Sequence, residues 1–174
     1  MKYPYSRPNV NKKDKMKILS MLDNQFLTQG PLSTLFEKKL CNAFGSDFAI
    51  SCNSGTAALH LAYLNAGLGP KYGLITSSVT FLATANAARM CQAPVGFADV
   101  DPKTGNVTLE TIKKAVEKAD FNVRAITIVH LGGRVCDVVN ISNYAKSINA
   151  FLIEDVCHAP LAIYKDESGK SYNV

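Results

Sequence analysis

Short, mostly uncharged runs alternate with segments of helical period along this chain, and that alternation leaves few folds open. The runs are residues 47–52, 74–77, 94–100, 125–130 and 150–154. The segments around them, 12–26, 32–44, 55–66, 81–91, 109–119 and 138–148, repeat their apolar residues near every 3.6 positions. Strands with so few charges need cover on both faces. Spacers of about 10–15 residues suit crossover helices between parallel strands. The expected class is therefore α/β, a three-layer αβα arrangement around a mostly parallel sheet.

Punctuation in the sequence supports these elements. Asn11 and Thr108 stand where N-caps are needed, Pro31 falls near a first helical position after Thr28-Gln29-Gly30, and Gly45 closes the segment that follows. Near the end, Ile163 to Val174 reads as a hairpin with Ser168-Gly169 at its turn and a second arm just beginning. A domain rarely stops there, so 174 residues fit either one ordinary domain or a piece of something larger.

Composition excludes several functions. A net charge of +5 comes largely from Lys12, Lys13, Lys15 and Lys17, one solvated helix face without the clustering and interleaved aromatics of a nucleic-acid surface. No stretch approaches 18 uninterrupted apolar residues, so no membrane span is expected. Five cysteines, odd in number and without CxxC spacing, read as reduced thiols packed as small hydrophobes. With no signal peptide before Tyr3-Pro4-Tyr5, they imply a cytoplasmic protein.

In open parallel sheets, ligands bind beyond the carboxyl ends of the strands. There the chain places Asn53-Ser54-Gly55-Thr56-Ala57-Ala58, a small turn opening a helix, whose free N–H groups and dipole suit a phosphate. The plain alternative is a capped helix entry. Ser77-Ser78-Val79-Thr80-Phe81 puts an aromatic ring at the next helix entrance, and His130 precedes a Leu131-Gly132-Gly133 turn. Glu154-Asp155-Val156-Cys157-His158 follows the last run. These residues can orient a heteroaromatic ring or cap a helix, but they supply too few ligands for a metal. A phosphate cradle, a stacking ring, an acid and a His on one sheet edge suit a flat, phosphorylated, nitrogen-containing cofactor. Pyridoxal phosphate fits, the acid keeping the pyridine nitrogen protonated so that the ring can accept electrons.

These motifs resemble the DegT/DnrJ/EryC1/StrS family of sugar aminotransferases. The resemblance rests on Phe26-Leu27-Thr28-Gln29-Gly30-Pro31, Asn53 to His60, Thr80 to Asn86 and Ile153-Glu154-Asp155. It implies the large domain of a fold-type-I pyridoxal phosphate enzyme, aspartate aminotransferase-like, that aminates keto-sugars attached to nucleotides. The Leu-Thr-Gln-Gly-Pro form looks most like the branch acting on UDP-linked 4-keto-6-deoxy amino sugars. By the same resemblance, Gly55, Thr56 and Ala57 hold the cofactor phosphate, Phe81 stacks on the ring, Asp155 pairs with its nitrogen and His158 touches its hydroxyl. Residues 1–30 become an N-terminal arm and helix, and 31–174 an incomplete cofactor-binding large domain. A nucleotide-sugar substrate, an amino-acid donor and a homodimer are implied as well.

Two local departures from the family pattern are Pro70-Lys71-Tyr72-Gly73, in a surface turn, and Pro160-Leu161, which replaces a small Gly-Ala pair. A third bears on mechanism. The family's Schiff-base Lys lies on a Ser-Phe-His-x-x-Lys segment beyond Val174, so no catalytic residue is assigned and the 174-residue chain is expected not to turn over alone. Two rivals stay open at this point: a non-catalytic remnant or subunit needing a separate C-terminal partner, and a cofactor-free domain that binds nucleotide sugars.

Overall fold

A computed structural model describes residues 7–23, 26–28, 30–166 and 168–173. Two N-terminal helices, α1 (Lys12–Leu22) and α2 (Pro31–Phe44), precede the packed body. Asn11 caps α1 in a reciprocal box with Asp14, Pro31 opens α2, and Gly45 ends it in the left-handed conformation that glycine adopts without strain. Neither helix buries a residue. The expected continuation of the first helix to Phe26 runs through Asn24 and Gln25, outside the described residues, as do residues 1–6, Gln29, Glu167 and Val174.

The body begins with α3 (Gly55–Ala66) and continues β1 (Tyr72–Ser77), α4 (Leu82–Met90), β2 (Val95–Ala98), α5 (Leu109–Glu117), β3 (Asn122–Val129), α6 (Val138–Ser147) and β4 (Phe151–Asp155). All pairings in the four-stranded sheet are parallel, in the order β2-β1-β3-β4. Alternation along the strands divides the core. Leu74 and Ala125 face α3 and α4, where they pack with Leu59, Tyr63 and Ala87. Ile75, Ile126 and Ile128 face α5 and α6, where they pack with Ile112 and Ile141. Both faces are thus covered, as continuous apolar strands require. Gly73 is obligatory for close approach, since a Cβ there would meet the Phe121 ring and lie 2.7 Å from the Pro94 carbonyl oxygen.

After β1 the chain moves outward to β2, then crosses back over β1 to β3. The connections from β1 and β3 therefore diverge, and a crevice opens at their carboxyl ends. Beyond the sheet, β5 (Ile163–Lys165) and β6 (Ser171–Asn173) form the expected hairpin. Its turn is organised by Asp166, whose carboxylate accepts the N–H groups of Ser168 and Lys170. The Tyr164 hydroxyl donates to Asp137, at 2.9 Å, and ties the hairpin to the start of α6.

One expected strand is absent. Residues 47–52 run irregularly, with Phe48 88% and Ile50 80% exposed. Among the described residues no strand lies beside the run to complete a ladder, and the Glu37 carboxylate of α2 takes both the N–H and the hydroxyl of Ser51. The cysteines also depart from expectation. Cys91 and Cys136 are buried, but Cys52 and Cys157 are exposed.

Candidate functional site

A cleft of about 640 Å³ opens at the crevice between the carboxyl ends of β1 and β3. Gly55, Thr56, Phe81, Asp155 and His158 all line it, over a floor that includes Leu59 and Val129. Five of the six residues singled out in the sequence are therefore brought together by three separate segments. The sixth, Ala57, does not line the cleft; its N–H is taken at 3.2 Å by the Ser54 hydroxyl oxygen.

The two ends of the cleft differ in charge preference. At one end, Ser54 is the N-cap of α3, in extended conformation, and Gly55 and Thr56 are its first two helical residues. Their N–H groups have no helical acceptor and face the positive end of the helix dipole. Nothing in the fold demands glycine at 55. A Cβ there would lie 3.7 Å from the Cys157 sulfur, an ordinary contact.

At the other end, β4 delivers Asp155. Its carbonyl group accepts from the His130 N–H, and its carboxylate Oδ1 accepts from the Cys157 N–H at 3.1 Å. Asp155 is only 9% exposed, on the sheet face shared with α3. The Cys157 thiol beside it is pushed up to about 11, first by hydrogen bonding to Asp155, then by burial and by the carboxylate charge.

His158 is oriented by the turn after β3. Buried Asn106 accepts the Leu131 N–H and donates to the Arg134 carbonyl, which fixes Leu131–Gly133. From that turn the Gly132 N–H donates to His158 Nδ1 at 3.3 Å. An accepting Nδ1 assigns the neutral ring its proton on Nε2, which is then the donor. Phe81 is the residue before α4, and its ring is 76% exposed, unpacked on the cleft rim.

His130 does not join this group. It lies on the opposite face of the sheet, fully buried, with Nε2 3.1 Å from Glu154 and Nδ1 accepting the Cys136 N–H. Its role is to tie the ends of β3 and β4 together, through a carboxylate and a backbone N–H. Glu154 is drawn to the same face and so is unavailable to the cleft. Sequence reasoning missed Thr80, Leu131 and Cys157 as lining residues. Only the short spacing of Thr80 and Cys157 from residues already singled out could have found them.

As an assembly, the cleft offers backbone donors for an anion at one end and a carboxylate for a protonated nitrogen at the other, with an exposed aromatic face at its rim. Pyridoxal phosphate has a phosphate, a ring and a pyridinium that fit this set. No lysine lines the cleft among the described residues.

Comparison with known proteins agrees with the geometry. The model of the DegT/DnrJ/EryC1/StrS aminotransferase family matches residues 8–172. A UDP-4-amino-4,6-dideoxy-N-acetyl-beta-L-altrosamine transaminase of Campylobacter jejuni is 37% identical over 163 residues, 94% of this chain and 43% of that protein. The spore coat polysaccharide biosynthesis protein SpsC of Bacillus subtilis is 36% identical over 93% of this chain and 41% of its own length. Among solved structures, Helicobacter pylori PseC, an aminotransferase involved in the biosynthesis of pseudoaminic acid, superposes with a TM-score of 0.85 at 28% identity, covering 99% of this chain and 44% of that one. The chain thus spans about two-fifths of the length of the curated relatives it matches.

Proposed function

The chain belongs to the DegT/DnrJ/EryC1/StrS aminotransferase family, and from that premise we propose that its cleft binds pyridoxal phosphate in the service of amino transfer to a nucleotide-linked 4-keto sugar. The observation that carries this reading is the opposed polarity of one cleft, with the α3 N-terminus at one end and the buried Asp155 carboxylate at the other. Gly55 and Thr56 would hold the phosphate through their N–H groups. Ala57 joins them where the Ser54 hydroxyl gives up the N–H it now accepts. Phe81 would cover the ring face, Asp155 would hold the proton on the pyridine nitrogen, and His158 Nε2 would donate to the ring hydroxyl.

When bound, the cofactor supplies an electron sink for the charge left as the substrate Cα–H proton departs. This chain's own contribution is to fix the ring's tilt, keep its nitrogen cationic and close its phosphate end to water. For the whole protein, the same reading gives an amino-acid donor, typically glutamate, and a sugar substrate of the UDP-linked 4-keto-6-deoxy class, supported by the transaminase at 37% identity. It also gives amino-sugar or cell-surface polysaccharide biosynthesis, a cytoplasmic setting and a homodimer. Residues 1–30 serve as arm and helix, and 31–174 as the first part of the large domain.

Because the cleft has no lysine among its described lining residues, residues 1–174 by themselves are proposed to hold the cofactor without a covalent bond and not to turn over. Borohydride treatment of the chain saturated with pyridoxal phosphate, followed by denaturation and mass measurement, tests this. The expected result is only scattered, substoichiometric labelling of exposed lysines, unchanged when inorganic phosphate competes. A single reduced adduct on one lysine would contradict it.

A further inference from the structure

Phe81 is exposed over three-quarters of its surface, so packing against its own ring does little to place it. Its position is set by the backbone at the entrance to α4, and that backbone is held from below. The Thr84 N–H donates to the Phe81 carbonyl oxygen at 3.0 Å. Thr84 Oγ1 lies 2.8 Å from Thr80 Oγ1, so one residue fixes both Phe81 and its predecessor. Thr84 is itself fully buried, and its carbonyl oxygen accepts the Tyr63 hydroxyl at 3.0 Å. Tyr63 is fully buried on α3, two turns after the Gly55-Thr56 end of the same helix. Burial pushes its hydroxyl up to about 12, so it is a neutral donor at any physiological pH.

From this chain of bonds we infer that Tyr63 is a positioning residue for the ring-covering face of the cleft. Its hydroxyl sets the height of α4, and therefore of Phe81, above the helix that presents the phosphate donors. The inference rests on the proposed cofactor reading and deepens it. One helix, α3, would fix both the phosphate and the ring face, so the distance between them is built into its length.

The consequence is a division between ligands. Tyr63→Phe removes the hydroxyl's bond to the Thr84 carbonyl, which keeps its helical partner, and its contact with Thr127 on β3. Affinity for pyridoxal phosphate should fall about 3- to 10-fold, the range of one such bond. Affinity for inorganic phosphate, which needs only the α3 terminus, should stay within about twofold. On a Phe81→Leu background, Tyr63→Phe should have no further effect, because the two residues act through one contact. Thr80→Val, at the half-exposed end of the same chain of bonds, should give the same division should Tyr63→Phe fail to fold. Equal loss for both ligands, no loss for pyridoxal phosphate, or an undiminished effect on the Phe81→Leu background would overturn the inference. A wild-type chain that binds no pyridoxal phosphate would overturn the cofactor reading along with it. Binding by wild type that is untouched in the variants would overturn the role of Tyr63 alone.

Discussion

Gly55 and Cys157 show how single residues divide between fold and ligand. The fold tolerates a Cβ at 55, with only the Cys157 sulfur at contact distance, while the cleft needs the backbone bare for close approach to a phosphate. Gly55→Ala should therefore leave the unfolding free energy from urea titration unchanged or raise it, by up to about 1 kcal/mol. Phosphate affinity should fall by about tenfold or more, as expected when one charge-assisted hydrogen bond is lost. Equal loss of stability and affinity would assign Gly55 to the fold instead. Cys157 is exposed, but its thiol is held near 11 chiefly by its bond to Asp155. Alkylation at pH 8, mapped by mass spectrometry, should find it slower than the exposed Cys52. Asp155→Asn should speed it roughly tenfold, since the thiolate is the reactive form. A rate indifferent to that substitution would place the carboxylate elsewhere.

At the scale of elements, helices were the most legible part of the sequence. The Asn11, Thr108 and Gly45 signals sit where the structure uses them, because caps satisfy local backbone groups and need no distant partner. Strands were legible only where the fold supplies neighbours. Residues 47–52 have the composition of a strand but no ladder, and no single sequence reports what will lie beside such a run. The turn after β4 is a second case. Pro160-Leu161 departs from the family's small pair, and the structure puts Leu161 at φ +62°. A branched side chain pays about 1–2 kcal/mol there, and Leu161 is half exposed, so little burial offsets it. Leu161→Gly is expected to raise stability by up to about 1 kcal/mol after the greater freedom of glycine in the unfolded chain is counted. A lowered denaturation midpoint would show that the leucine is anchored by its packing.

The molecule as a whole joins a well-covered sheet to two helices that bury nothing. On α1 and α2, Met16, Leu19, Leu22, Leu32, Leu35 and Phe36 are each about half exposed or more. Their apolar stripes were plain in the sequence, since periodicity reports that a helix has a wet and a dry side; it does not report what the dry side meets. The cleft was legible for a different reason. Its residues lie at helix entrances and strand ends, positions that topology brings to one edge whatever the details of packing. The division of the Glu154-Asp155 pair between opposite faces follows from strand alternation, whereas the burial of His130 came from tertiary packing alone. Asp155 and the α3 terminus are proposed to grip one ligand together. The most direct test is a titration of the 174-residue chain with pyridoxal phosphate, repeated with Asp155→Asn and with inorganic phosphate as competitor. Saturable binding of one cofactor per chain is expected, weakened about tenfold or more by Asp155→Asn and displaced by phosphate. Binding that is absent, or that is indifferent to both the substitution and the competitor, would contradict it.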